Sequence, residues 1–455
     1  MSKRKSSPGY NWARRHALPT PAAAAAWQFQ DKLELSQWYG PDRHVAYQFR
    51  HLNALVRHAV ANTSYYARSI AGVGDITPET WPALPILTRR DLQAHKADLT
   101  AGRYPDGHGK THETGSSGST GRPVEVLGTD LTQNWHKALT LRGLLWSNTR
   151  FDRKLAVIRR YQAGVADYPD GFTGAHWADD LTLPTATGPV VGLNARTPVP
   201  HQAEWLVRQQ PQVLVIYPSA LVAVVRHAER NRIALPRLKR ILTIGEALPE
   251  DARAAAQTGF GGDVFDAYSA NEVGNIATQC PECLFYHVHA ESVLVEVLND
   301  RGAPCAPDET GRVVLSLLHN YAMPLIRYEI GDYAIPGGPC RCGRGLPVLK
   351  RIQGRQRNMM ILPDGSSFWP SFGTRRFRQL APVSQHQFVQ HAPSRLEVRL
   401  VTERPLTGPE EEALRRHIQS RLPVPVEIAF AYVDEIARSA GGKYEDLICL
   451  VDGGD

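Results

Sequence analysis

Between Leu131 and Ile244 the chain alternates segments carrying apolar residues at helical spacing with short apolar runs, and this stretch narrows the possible folds most. Leu131 to Trp146 reads as a helix and Lys154 to Ile158 as a strand. His201 to Gln210, Val213 to Ile216, Ala220 to Asn231 and Arg240 to Ile244 then continue as helix, strand, helix and strand. That order predicts an α/β fold with helix-covered sheets. Ligands in such sheets sit at the carboxyl ends of strands. The loops Tyr217-Pro218-Ser219, Gly245-Glu246-Ala247 and Tyr268-Ser269-Ala270-Asn271-Glu272 are therefore expected to share a cleft.

Upstream, Trp27 to Tyr39 and His44 to Asn62 read as packed helices, with Leu52, Leu55, Val56 and Val60 on one face. Thr88 is placed to cap a helix entered through Arg89-Arg90-Asp91-Leu92. From Ser292 onward the pattern turns β-rich, with runs at Leu294 to Leu298, Gly311 to Leu317 and Leu325 to Tyr328. Gly354-Arg355 marks a boundary. Beyond it lie strand-like runs (Gln387 to Val389, Leu396 to Val401, Glu427 to Ala431) and helical ones (Ser371 to Gln379, Pro409 to Arg421), enough for a small α+β domain. A chain of 455 residues is too long for one ordinary domain. The expected organisation is a disordered basic tail over 1–22, a large domain over 23–354 comprising helix-covered sheets and a β-rich subdomain, and a small domain over 355–455.

The formal net charge of +7 owes much to Lys3, Arg4, Lys5, Arg14 and Arg15, which argues against a nucleic-acid partner. Arg14-Arg15 followed by Ala22 to Ala26 is too short and too broken by Pro19 and Pro21 for a secretion signal, so a cytoplasmic protein is expected. No segment approaches the ~18 apolar residues of a membrane span.

Thr114-Gly115-Ser116-Ser117-Gly118-Ser119-Thr120-Gly121-Arg122-Pro123 concentrates small, hydroxylated residues just before the strand-like run Val124-Glu125-Val126-Leu127. Its glycines permit close approach of the main chain to a ligand, and consecutive N–H groups in such a turn form an anion-binding concavity. It is not a Walker loop, because no Lys-Ser or Lys-Thr pair follows at the required spacing. Ser-Ser-Gly-Ser-Thr-Gly-Arg-Pro instead resembles the phosphate loop of adenylate-forming enzymes, the superfamily of acyl-CoA synthetases, luciferases and peptide-synthetase adenylation domains. Leu84-Pro85-Ile86-Leu87-Thr88-Arg89-Arg90-Asp91-Leu92 and Met323-Pro324-Leu325-Ile326 resemble the phenylacetate-CoA ligase and CapK/CoF-synthetase-like branch.

The resemblance implies roles residue by residue. Ser116, Ser117, Gly118, Ser119, Thr120 and Gly121 would cradle the phosphates of ATP. Tyr268 would lie against adenine, Glu272 would bind Mg²⁺, and Asn271, standing where the family usually has Thr, would approach the α-phosphate. Arg327-Tyr328-Glu329-Ile330-Gly331-Asp332 resembles the Arg-Tyr-x-x-Gly-Asp motif, with Arg327 at the nucleotide and Asp332 accepting from both ribose hydroxyls, a task suited to a carboxylate's two oxygens. Gly354-Arg355-Gln356-Arg357-Asn358 resembles the interdomain hinge, with Arg355 near the nucleotide and Arg357 where Asp or Lys is usual. Lys443, after Gly441-Gly442, resembles the lysine of the mobile small domain that binds the reacting carboxylate and α-phosphate. Gly245 and Glu246 are candidates for the nucleotide side of the pocket, Tyr217 and Ser219 for the acid side.

Cys280-Pro281-Glu282-Cys283 and Cys340-Arg341-Cys342 form two chelating pairs, with His287 and His289 just downstream of the first. Such donors in tetrahedral number suit a structural Zn²⁺ and a reducing compartment. In the resembled branch a Cys, a downstream His and a Cys-x-Cys make such a site, which leaves Cys283 or His287 as the fourth ligand. The resulting expectation is an ATP- and Mg²⁺-dependent ligase that makes an acyl-adenylate and then a thioester with coenzyme A, acting on an aryl or arylacetic acid. A carrier-protein acceptor, a hydroxyl acceptor for AMP, or an inactive nucleotide-binding homologue are the alternatives. Oligomeric state, a homodimer included, is left open.

Overall fold

The computed structural model describes residues 7, 9–11, 13, 24–115, 124–177, 187–355, 359–368, 370, 372, 374–436 and 446–451. The chain divides into two compact units, 1–352 and 353–455. Along the first unit the strands are β1 (Thr111–Gly115), β2 (Glu125–Thr129), β3 (Leu155–Arg159), β4 (Phe172–Gly174), β5 (Val190–Asn194), β6 (Val213–Ile216), β7 (Arg240–Thr243), β8 (Asp263–Ala270), β9 (Gly274–Gln279), β10 (Tyr286–Val288), β11 (Val293–Leu298), β12 (Gly311–Leu317), β13 (Tyr328–Gly337) and β14 (Val348–Arg355), the last crossing the junction. β1 and β2 form a hairpin. The other twelve make one sheet in the order β11-β12-β13-β14-β10-β9-β8-β7-β6-β3-β5-β4.

From β5 through β3, β6 and β7 to β8 the pairing is parallel. Parallel strands buried on both faces read as unbroken apolar runs, as Leu155 to Ile158 does. Alternation then assigns faces. Ala156 and Ile158 pack with Leu214 and Ile216 against the helices Val199–Gln209 and Pro218–Asn231. Leu155 and Val157 pack with Val213 and Val215 against Leu141, Leu144 and Leu145 of the helix Asp130–Trp146. Each buried Val, Leu or Ile side chain among these contributes about 1.5–3 kcal/mol on burial. Strand β8 is the pivot, parallel to β7 on one side and antiparallel to β9 on the other. The mixed α/β class is as expected, and the β-rich stretch is hydrogen-bonded continuously to the parallel half.

The β8-to-β13 part curls. In sheet order these strands are four steps apart, about 19 Å if flat at ~4.8 Å per step, beyond the joint reach of a tyrosine and an aspartate. Yet the Tyr268 hydroxyl donates to Asp332 Oδ2 at 2.8 Å. The core inside the curl includes Tyr268, Ile276, Val288, Leu315 and Tyr328.

In the second unit, β15 (Met360–Ile361) and β16 (Ser367–Phe368) pair as a small ribbon, and β17 (Val383–Ala392), β18 (Arg395–Thr402), β19 (Glu427–Tyr432) and β20 (Leu447–Cys449) form a sheet in the order β19-β18-β17-β20. The helix Gly408–Gln419, capped by Thr407 and Glu410, contributes Leu414 and Ile418 to its core. The helix expected over Ser371 to Gln379 is reduced to the 3-10 turn Thr374–Arg376 and the single turn Phe377–Leu380. Gly373, a poor helix former, stands within the expected span. Among the described residues no helix is long and apolar enough to cross a membrane.

Candidate active site

Among the described residues, the carboxyl end of β8 and the turn after it carry the densest set of expected site residues. Strand alternation buries Val264, Asp266 and Tyr268 in succession. Tyr268 meets Asp332 of β13, where Gly331 takes a φ of +83°. A bulkier residue would be strained there.

Glu272 lies in the β8–β9 turn, buried, while the neighbouring Asn271 is exposed. The Arg89 guanidinium approaches Glu272 Oε1 at 3.4 Å, and among the described residues Oε2 has no hydrogen-bond donor. Arg89 is set by local chemistry. The Thr88 hydroxyl accepts from Asp91 N and the Asp91 carboxylate accepts from Thr88 N, a capping box that orients the first turn of the helix Arg89–Ala94. Beside this pair the buried Tyr328 hydroxyl lacks a well-directed hydrogen bond, and burial, then the Glu272 charge, raises its pKa. A single long contact and an uncommitted oxygen leave Glu272 able to take a metal or a phosphate-bound cation.

Arg89 had no role assigned from the sequence, where its segment served only a helix cap and the branch resemblance. One signal was available: a cation in the first turn opposes the helix dipole and calls for an anionic partner. His136 packs against the turn that follows Glu272. It is exposed, and its ring presses on Gly274, where an added Cβ would stand 3.2 Å from Nδ1; Asn275 donates to its carbonyl at 3.2 Å.

Arg327 is a correction. Its side chain, 2% exposed, donates to both oxygens of Glu296 at 3.2 and 3.0 Å and to the carbonyls of Pro82 (2.7 Å) and Leu84 (2.5 Å). This guanidinium ties the segment before Arg89 to the sheet through Glu296 and the two carbonyls. Its φ of +49° shows how tightly that junction is held.

At the ends of β6 and β7, Ser219 and Glu246 are brought together. Both carboxylate oxygens accept from Ser219, from N at 2.9 Å and from Oγ at 3.1 Å. An anion at the start of the helix Pro218–Asn231 favours its exposed N–H groups, so Glu246 acts as a cap. Gly245 sits at φ +76°, and the Tyr217 hydroxyl accepts from Arg160 N at 3.3 Å.

The β1–β2 hairpin brings Gly115 opposite Glu125, and Lys96 bridges Glu113 and Glu125 across its stem. The tip, with Ser116, Ser117, Gly118, Ser119, Thr120 and Gly121, lies outside the described residues, as do Lys443 and the hinge residues Gln356, Arg357 and Asn358. Arg355 ends β14 after Gly354, whose φ is +110°.

The cysteine-rich segment forms a separate knuckle. Ligand atoms of Cys280, His287, Cys340 and Cys342, all buried, lie within 4.8 Å of one another. A tetrahedral zinc with Zn–S of about 2.3 Å requires sulfurs about 3.8 Å apart. Cys280 and Cys340 Sγ are 3.8 Å apart, and Cys342 Sγ is 3.3 Å from His287 Nε2. These residues fit a zinc ion, with His287 as the fourth donor. Cys283 is only half-buried, stands 2.9 Å from Cys340 Sγ, and does not belong to the set. His289 is engaged elsewhere, with Nδ1 3.2 Å from Arg142 and Nε2 3.0 Å from Thr278 Oγ1. Burial, then Arg142, pushes its pKa down to about 3.

The comparisons with known proteins agree with this layout. The profile of the CapK C-terminal domain matches residues 362–449. Phenylacetate-coenzyme A ligase of Escherichia coli is 24% identical over 438 residues, covering 90% of this chain and 96% of that protein. Its namesake from Thermus thermophilus is 25% identical over 347 residues, covering 72% and 73%. A 2-hydroxyisobutyryl-CoA ligase, solved in the postadenylation state with an acyl-AMP, superposes with a TM-score of 0.72 at 17% identity, covering 90% of each chain. The chain is thus similar along most of its length to phenylacetate-coenzyme A ligases, over residues 362–449 to the CapK C-terminal domain, and in fold to an acyl-CoA ligase.

Proposed function

We propose that this protein is an acid–thiol ligase: it joins a carboxylic acid to ATP, giving an acyl-adenylate and pyrophosphate, and then transfers the acyl group to coenzyme A. The observation carrying this reading is the corner at the end of β8, where Tyr268 holds Asp332 and a buried Glu272 keeps an uncommitted oxygen. It occurs in a chain aligned along nine-tenths of its length with a phenylacetate-coenzyme A ligase.

Attack of a carboxylate on the α-phosphate requires two anions to be aligned and charge to be offset. Asp332 would accept from the ribose hydroxyls, fixed in orientation by the Tyr268 donor. Glu272 would hold a magnesium ion, which neutralises phosphate charge when bound, while Arg89, displaced from the carboxylate, turns to the anionic substrate. Asn271, exposed in the same turn, would face the α-phosphate. Ser116 to Gly121 would cradle the phosphates, Lys443 would bridge the acid and the α-phosphate, and Arg355 would approach the nucleotide. Tyr217, Ser219, Gly245 and Glu246 would wall the pocket, with an aryl or arylacetic acid as the substrate class. Cys280, His287, Cys340 and Cys342 would hold zinc as a closed structural site with no open position for chemistry.

The test is a panel of carboxylic acids scored for acid-dependent AMP and pyrophosphate, with and without coenzyme A. Thioester formation with an arylacetic acid is the expected result. AMP release only with a carrier protein or a hydroxyl acceptor would replace the second half of the reading, and no AMP release with any acid would remove it.

A further inference from the structure

We propose that Cys283 is a peroxide-reactive thiol that closes a disulfide with Cys340 and thereby opens the zinc knuckle; this rests on reading Cys280, His287, Cys340 and Cys342 as a zinc set. Three observations converge. The ligand thiols are buried and Cys283 is only half-buried, so a dissolved oxidant meets Cys283 first. Its Sγ lies 2.9 Å from Cys340 Sγ, closer than two sulfurs on one tetrahedral ion stand (about 3.8 Å) and closer than the Cys280–Cys340 pair at 3.8 Å. The turn that brings it there is specifically held: Leu284 sits at φ +64° and donates to the Cys280 carbonyl at 3.0 Å.

The oxidant is a hydroperoxide. Cys283 sulfur attacks the outer peroxide oxygen, the O–O bond breaks, and an alcohol or water leaves with the thiol proton, giving a sulfenic acid. Cys340 sulfur then attacks the Cys283 sulfur; the S–S bond forms, the S–O bond breaks, and hydroxide leaves to be protonated as water. Two electrons pass from the sulfur pair to the peroxide. Cys340 then no longer ligates, and the three remaining donors hold zinc more weakly. A dithiol reductant reverses the change.

The full-length protein, purified without chelator, is assayed for zinc and treated with hydrogen peroxide beside a chromophoric zinc chelator; its disulfides are then mapped by mass spectrometry. The wild type should release its zinc and yield a Cys283–Cys340 peptide pair, and Cys283→Ser should release zinc at least about tenfold more slowly. Equal release from Cys283→Ser, or a disulfide that leaves Cys283 as a free thiol, overturns the proposal. Protein that holds no zinc and binds none on reconstitution sinks the metal reading, while the mapping still decides for or against the Cys283–Cys340 pairing.

Discussion

Two arginine–glutamate pairs in the large unit are built in opposite ways. Arg142 is completely buried and bidentate to Glu291, at 2.7 and 3.1 Å; it also donates to the Leu33 carbonyl at 2.9 Å, while Ser36 donates to the same carboxylate. Despite burial, Arg142 holds the Glu291 pKa down to about 2. Arg89 reaches Glu272 by one 3.4 Å contact and remains partly exposed. A buried carboxylate with both oxygens engaged by close donors is a staple, and one left under-engaged is available to a ligand. The Arg327–Glu296 pair follows the first pattern, with the guanidinium donating to both carboxylate oxygens.

The largest test of this contrast is Arg142→Ala. Leaving Glu291 buried without its partner should cost about 3–5 kcal/mol, read as a large fall in Tm. A small shift would place Arg142 with the loosely held residues. Glu272→Gln should do the reverse, lowering acid-dependent AMP formation about 10²-fold with little change in Tm. A substantial loss of stability with activity retained would reverse its assignment.

Two smaller effects sharpen the picture. Asp266 is buried and accepts from Thr243 Oγ1 at 2.5 Å and Tyr286 Oη at 2.7 Å, and burial raises its pKa from 3.8 to about 6. The folded state therefore binds more protons than the unfolded one between those values, so stability falls as pH rises through that window. Asp266→Asn should remove that slope and be more stable above pH 6 by about 3 kcal/mol, checked by urea melts at pH 4.5 and 7.5. Unchanged slopes would show that Asp266 is ionised throughout. Tyr268→Phe removes one donor to Asp332 and should raise KM for ATP about tenfold with kcat little changed. A loss confined to kcat would separate Tyr268 from nucleotide binding.

Legibility followed range. The helix–strand alternation, the Thr88 cap and the cysteine knuckle depend on residues close in sequence or on strong donor chemistry, and they were readable in advance. The pairing of Ser219 with Glu246 followed from strand order, since adjacent parallel strands bring their end loops together. The contacts of Arg89 with Glu272 and of Arg142 with Glu291 span 183 and 149 residues. No local pattern announces them.

By itself the sequence determined the helix–strand alternation of the parallel half, the Thr88 cap and the grouping of the cysteine pairs, because spacing and capping act within a few residues. The tertiary structure alone decided that β8 and β13 meet, that Arg327 pairs with Glu296 and Arg89 with Glu272, and that His287 clusters with Cys280, Cys340 and Cys342. Those outcomes depend on how far a continuous sheet curls, and strands separated in sequence acquire a distance from one another only once the whole core has packed.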